Sequence, residues 1–101
     1  MSKEEIRLNL QKAEERASLI GGLVRAVDNM SEIDCVIRAS YTPEEARLNL
    51  ESTLGFDSKQ SKAILEMRKS ALTGQRVDEL RKEHEQLLIL IDQLKEQLSL
   101  K

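Results

Sequence analysis

The sequence predicts an all-α protein, an antiparallel two-helix coiled coil with a small three-helix globular head. Three observations carry this expectation. The first and last segments each repeat apolar residues by alternating threes and fours, the heptad spacing of a helix–helix seam. No segment alternates with the period of two that a half-buried strand requires. The apolar content, 40% of 101 residues, is almost all Leu, Ile, Val and Ala, while aromatics make up 2%. Helix seams are built from such residues, whereas a sandwich or barrel core of this size would use more aromatics.

The first helix is expected over about residues 2–29. Ser2 followed by Glu5 forms a capping box, hydroxyl and carboxylate each satisfying an orphan backbone N–H. Ile6, Leu10, Ala13, Ala17, Ile20, Val24 and Val27 then mark the seam. Gly21 and Gly22 interrupt it at about 1 kcal/mol each relative to Ala. They mark either the close approach of a neighbouring helix or a bend. Ser31 is a candidate cap for a short second helix carrying Ile33, Val36 and Ile37. Thr42-Pro43-Glu44-Glu45 is a helix start, with a cap, proline in the first turn and carboxylates at the positive end of the dipole. Ala46, Leu50 and Leu54 face inward from this third helix, and Gly55 stops it. Asp57 and Gln60 make a second capping box, opening a fourth helix with Ala63, Ile64, Met67, Ala71 and Leu72, which Gly74 ends. The returning helix, about 76–100, carries Val77, Leu80, His84, Leu87, Ile91, Leu94 and Leu98 on its seam.

Each long helix spans roughly 38 Å at 1.5 Å per residue. Alone, each would expose an apolar stripe. Antiparallel pairing buries both, with Ile6 and Leu10 near Leu94 and Leu98, and Val24 and Val27 near Val77 and Leu80. The organisation expected is one domain over 1–101: a first long helix (1–29), a helical head (30–75) and a returning helix (76–101). The last helix runs to Lys101 without a stop signal, as an arm cut from a larger protein would.

Composition excludes several function classes. A formal net charge of −2 does not suit a free-standing nucleic-acid binder. The polar, acidic start is not a signal peptide. The longest apolar run, Leu87–Ile91, is far short of the ~20 residues that span a bilayer, so no membrane partner is expected and the setting is cytoplasmic. Cys35 is the only cysteine, in keeping with a reducing compartment. It is expected to be a small buried hydrophobe. His84, the only histidine, lies on the seam with no cysteine nearby and reads as a packed or rim residue. Tyr41, before a helix cap, is expected to pack its ring on the head. Glu14, Glu15, Glu83 and Glu85 read as solvated, ion-paired helix-face residues. No phosphate loop, HExxH or GxSxG motif is present. We therefore assign no catalytic, cofactor-binding or metal residue, and no activity to the chain itself.

An ordered set of segments is more specific. Lys12-Ala13-Glu14-Glu15-Arg16-Ala17, Gly22-Leu23, Asn29, Ile33, Ile37-Arg38-Ala39-Ser40 and Thr42-Pro43-Glu44-Glu45-Ala46 are followed by Gln60, Ala63-Ile64-Leu65-Glu66-Met67-Arg68 and Leu72-Thr73-Gly74. Together they resemble the A subunits of bacterial DNA gyrase, with those of topoisomerase IV the near relatives. The resemblance covers about Leu10 to Leu98.

The resemblance implies a place in a larger machine, an ATP-dependent type IIA DNA topoisomerase. In that family this region is a coiled-coil arm with a globular head, and two heads meet as the exit gate (C-gate) that releases the transported DNA segment. It implies self-association, as a homodimer, through Leu65, Met67, Arg68, Lys69, Leu72, Thr73, Gly74 and Gln75. The other partners implied are DNA, only transiently, and the rest of the A subunit. The family's catalytic tyrosine lies upstream, and Tyr41 does not correspond to it. This chain departs from the family pattern at Ser18 (usually His), Gly21 (usually Glu) and His84 (commonly Tyr). Lys69 and Gln75 stand where leucine is usual, and either drift or deliberate weakening of the contact would produce that pattern. A coiled-coil adaptor or scaffold binding a partner helix is the alternative reading of the residues alone.

Overall fold

The computed structural model describes residues 2–69 and 72–99. The expectations that Ala71 faces inward and that the last helix continues through Leu100 lie outside these residues. Five helices follow in order: α1 (Lys3–Asp28), α2 (Met30–Arg38), α3 (Pro43–Leu54), α4 (Ser58–Lys69) and α5 (Gly74–Ser99). Among the described residues there is no strand, so the all-α expectation holds.

Local chemistry sets most boundaries. Ser2 Oγ accepts from the Glu5 N–H at 3.2 Å, and Thr42 Oγ1 accepts from the Glu45 N–H at 3.1 Å ahead of Pro43. The Asp57–Gln60 box is reciprocal: the Gln60 N–H donates to Asp57 Oδ1 at 2.7 Å and the Asp57 N–H to Gln60 Oε1 at 2.9 Å. Gly55 ends α3 at φ +76°, a left-handed conformation that costs a Cβ-free residue little.

Two boundaries differ from expectation. Ser31 caps nothing, because α2 already begins at Met30 with Asn29 before it. The Asn29 amide donates instead to the Arg25 carbonyl, an orphan of the last turn of α1 (2.9 Å). Gly74 opens α5 rather than ending α4. The cap is Thr73, whose Oγ1 accepts from the Arg76 N–H at 3.2 Å. Leu72, expected on the fourth helix, lies outside it.

The apolar side chains form two clusters. Ile6, Ala13 and Ala17 of α1 are buried with Ile91 and Leu94 of α5, and Leu10, Leu87 and Leu98 pack against them. Further along, a second cluster draws on all five helices: Ile20, Leu23 and Ala26 of α1, Ile33, Leu50, Ile64 and Leu80 from the other four, and Phe56 from the α3–α4 link. The N-terminal half of α1 thus meets the C-terminal half of α5, and the C-terminal half of α1 meets Leu80 near the start of α5. The two long helices run in opposite directions, and the molecule is elongated, 52 × 27 × 17 Å. Each fully buried Leu or Ile contributes about 1.5–3 kcal/mol.

Two single-residue expectations are corrected. Cys35 is exposed. It follows the buried Ile33 by two residues, about 200° around a helix of 3.6 residues per turn, so it points away from the core. Tyr41 is 95% exposed. It stands in the link between α2 and α3 with its N–H donating to Glu45 Oε2 at 3.2 Å, which leaves the ring in solvent. The aromatic in the core is Phe56, with the Arg25 guanidinium 3.9 Å from its ring centroid.

Candidate functional site

The seam residues run along α1 and α5, and the candidate interface residues lie on α4 and around the start of α5, where Leu80 of the seam joins them. Of the seam set, Ile6, Ala13, Ala17, Ile20, Leu80, Ile91 and Leu94 are buried. Leu10, Val24, Val77, Leu87 and Leu98 are half-buried. Leu23 and Ala26, outside the expected single stripe, are also buried. There the apolar face of α1 widens, because it meets α4 as well as α5.

Charged side chains brace the α1–α5 contact from outside. Arg16 grips Glu83 with both ends of its guanidinium, at 2.7 and 3.3 Å. Asp28 accepts from Arg81 at 2.6 Å. Hydrogen bonding to these arginines holds the Glu83 and Asp28 carboxyls below their usual range. Glu44 is held low in the same way by Arg47.

The paired glycines receive side chains from two different helices. A Cβ at Gly21 would lie 3.0 Å from His84 Nε2, so the seam histidine packs onto a bare stretch of α1. A Cβ at Gly22 would lie 2.7 Å from the Gln60 side chain. Gln60 Nε2 crosses that bare stretch to donate to the Ser18 carbonyl at 2.7 Å. Of the two readings of the glycine pair, close approach is the one the geometry shows.

The candidate interface residues gather around the C-terminal half of α4 and the start of α5, and five of the eight line two grooves. On one side Met67 and Leu72 face Leu23 and Leu80 across a groove that Arg76 borders. On the other, Leu65, Arg68 and Lys69 face α3 and the α2–α3 link. Arg68 also approaches Asp34 of α2 at 2.6 Å, a charge contact that ties α4 to α2. Lys69 is exposed and pairs with Glu66 one turn back at 3.2 Å. Thr73 caps α5, Gly74 has open space where a Cβ would stand, and Gln75 donates to Glu79 at 3.3 Å. Sequence reasoning misses Asp34, since nothing local signals a contact between helices so far apart in the chain.

Among the described residues no group of three or more His, Cys, Asp or Glu side chains is placed to hold a metal ion. No helix there is long and apolar enough to cross a membrane. Of the acidic residues described above, Asp28, Asp34, Glu44 and Glu83 are engaged by arginines, and Asp57 caps a helix. What these features define is an all-helical protein, with two long antiparallel helices packed together and two grooves beside the fourth helix. The chain belongs to the DNA gyrase/topoisomerase IV A-subunit family, whose family model matches residues 1–101.

Individual relatives agree. The chain is 42% identical over 91 residues, 90% of its length, to the DNA gyrase A subunit of Ureaplasma parvum. It is 42% identical over 88 residues (87%) to that of Streptococcus pneumoniae, and 44% identical over 85 residues (84%) to that of Helicobacter pylori. It spans 10–11% of the length of these relatives.

Proposed function

We propose that the chain is the coiled-coil and exit-gate (C-gate) dimerisation module of a type IIA DNA topoisomerase. In this reading α1 and α5 form the arm and α2–α4, with the start of α5, the head, as one domain over 1–101. The arm holds the head at a distance from the DNA-cleaving part of the A subunit. Two heads close on a two-fold axis through residues 65–69 and 72–75, and open to release the transported DNA segment. DNA is then a transient partner, attachment to the rest of the A subunit is permanent, and the setting is the cytoplasm. The parent is an isomerase whose ATP dependence comes from its other subunit.

The observation that carries the reading is the antiparallel burial of Ile6, Ala13 and Ala17 against Ile91 and Leu94, in a chain of this family. It supports a shaft made of two antiparallel helices, with the α4 grooves toward one end. Family membership favours this over an adaptor that binds a partner helix. The test is a full-length A subunit in which residues 30–75 are replaced by a short link. The expected enzyme still cuts DNA but loses dimerisation at the gate and complete strand passage. Normal supercoiling by that deletion would contradict the gate role.

A further inference from the structure

The groove between the α2–α3 link, α3 and α4 has apolar lining from Ile37, Pro43, Ala46 and Leu65. At its rim stands Tyr41, the only tyrosine of the chain, 95% exposed beside an apolar surface it does not enter. An exposed aromatic next to an empty apolar groove is both a knob and a hole. An isologous contact needs such a surface, since the same patch must serve both copies. Tyrosine is also among the residues that most often anchor interfaces, as a large rigid ring with a polar tip.

The rim charges fit the same arrangement. On the α3 side Glu44, with Glu45 next to it in the chain, outnumbers Arg47, and on the α4 side Lys62, Arg68 and Lys69 outnumber Glu66. A two-fold contact can set the acidic side of one copy on the basic side of the other. Lys69 then meets a carboxylate instead of its own copy.

We infer that this groove takes the Tyr41 ring of a second copy of the chain, exchanged reciprocally across the two-fold axis. The inference rests on the homodimer reading above and adds to it a specific anchor, on the α3 flank of α4. Seating the ring gives Tyr41 a role in self-association that nothing in its own fold requires, because it buries almost none of itself there.

Tyr41 is a built-in reporter, since the chain has no tryptophan. The experiment follows sedimented mass and acrylamide quenching of tyrosine fluorescence on the full chain from micromolar to millimolar concentration. A Tyr41→Ala variant runs in parallel, with circular dichroism to confirm its fold. The expected result is that quenching falls about twofold or more as mass doubles. Truncating two anchors per dimer should weaken association by roughly 30-fold, with helicity unchanged. A dimer whose tyrosine stays fully quenchable, and whose affinity Tyr41→Ala leaves unchanged, overturns the inference while the homodimer stands. A chain that stays monomeric at millimolar concentration overturns both.

Discussion

Replacing Gly22 by alanine should destabilise the protein, although alanine is the better helix former. Glycine inside a helix costs about 1 kcal/mol relative to alanine, so in an open helix this substitution would stabilise. Here the new methyl would sit 2.7 Å from three atoms of the Gln60 side chain. Gln60 cannot step aside freely. Its Oε1 accepts from the Asp57 N–H at 2.9 Å, and its Nε2 donates to the Ser18 carbonyl at 2.7 Å. Displacing it gives up both bonds, each contributing about 1 kcal/mol net, along with the packing of α4 on α1. The balance is a loss of about 1 kcal/mol, or a Tm lower by about 4–8 °C for a domain of this size. In a Gln60→Ala background the obstacle is gone, and the same substitution should stabilise by about 1 kcal/mol. Urea unfolding followed at 222 nm, on the four members of this cycle, measures the coupling. A Gly22→Ala chain more stable than the parent, with no change of sign in the Gln60→Ala background, would refute the close-approach argument.

Two neighbouring residues on α5 should respond in opposite ways. Ile91→Asp places a charge in the buried cluster with Ala13, Ala17 and Leu94 and should cost several kcal/mol, enough to abolish cooperative unfolding. Ile89→Gln changes a side chain that is 58% exposed and should stay within about 0.5 kcal/mol. Circular dichroism melts compare them directly. Stability should also fall in acid. Asp28, Glu44 and Glu83 are held below their ordinary values of 3.8, 4.5 and 4.5. Their contribution is present above those values and is lost as pH drops through the lower folded ones. Urea midpoints between about pH 6 and pH 2.5 should show the decline beginning near pH 4.5. It should be smaller in high salt, because these pairs are largely exposed. A midpoint unchanged down to about pH 3 would show that the arginine pairs contribute nothing.

Features governed by residues within four positions of one another are legible in the sequence. The Ser2 and Thr42 caps, the Asp57–Gln60 box and the Gly55 stop are all of this kind, and each appears in the structure. The α1–α5 seam is legible because one period repeats over many turns. Features that depend on distant neighbours are not. Leu23 and Ala26 are buried in the cluster that all five helices share, which no seam on α1 announces. Ser31 has the chemistry of a cap, but α2 starts too early to use it. Gly74 resembles a helix stop, yet Thr73 one residue earlier supplies the N-cap that makes it a beginning. Residue type alone favours Cys35 and Tyr41 inside, and helix phase and link geometry put them outside. Within the candidate site the residue set around α4 comes from family resemblance. Its division into two grooves, and the Asp34–Arg68 tie, require the packed helices.

Sedimentation equilibrium of the chain beside a Lys69→Leu/Gln75→Leu variant tests the gate reading most directly. Both side chains are exposed on the proposed contact. Two leucines per copy would add apolar burial, at about 1.5–3 kcal/mol for each one fully covered. That outweighs a rim ion pair, whose contribution is at most about 1 kcal/mol. The expected result is a reversible dimer that is weak in the parent chain and at least about tenfold tighter in the leucine variant. Two chains that both remain monomeric at millimolar concentration would contradict the gate reading.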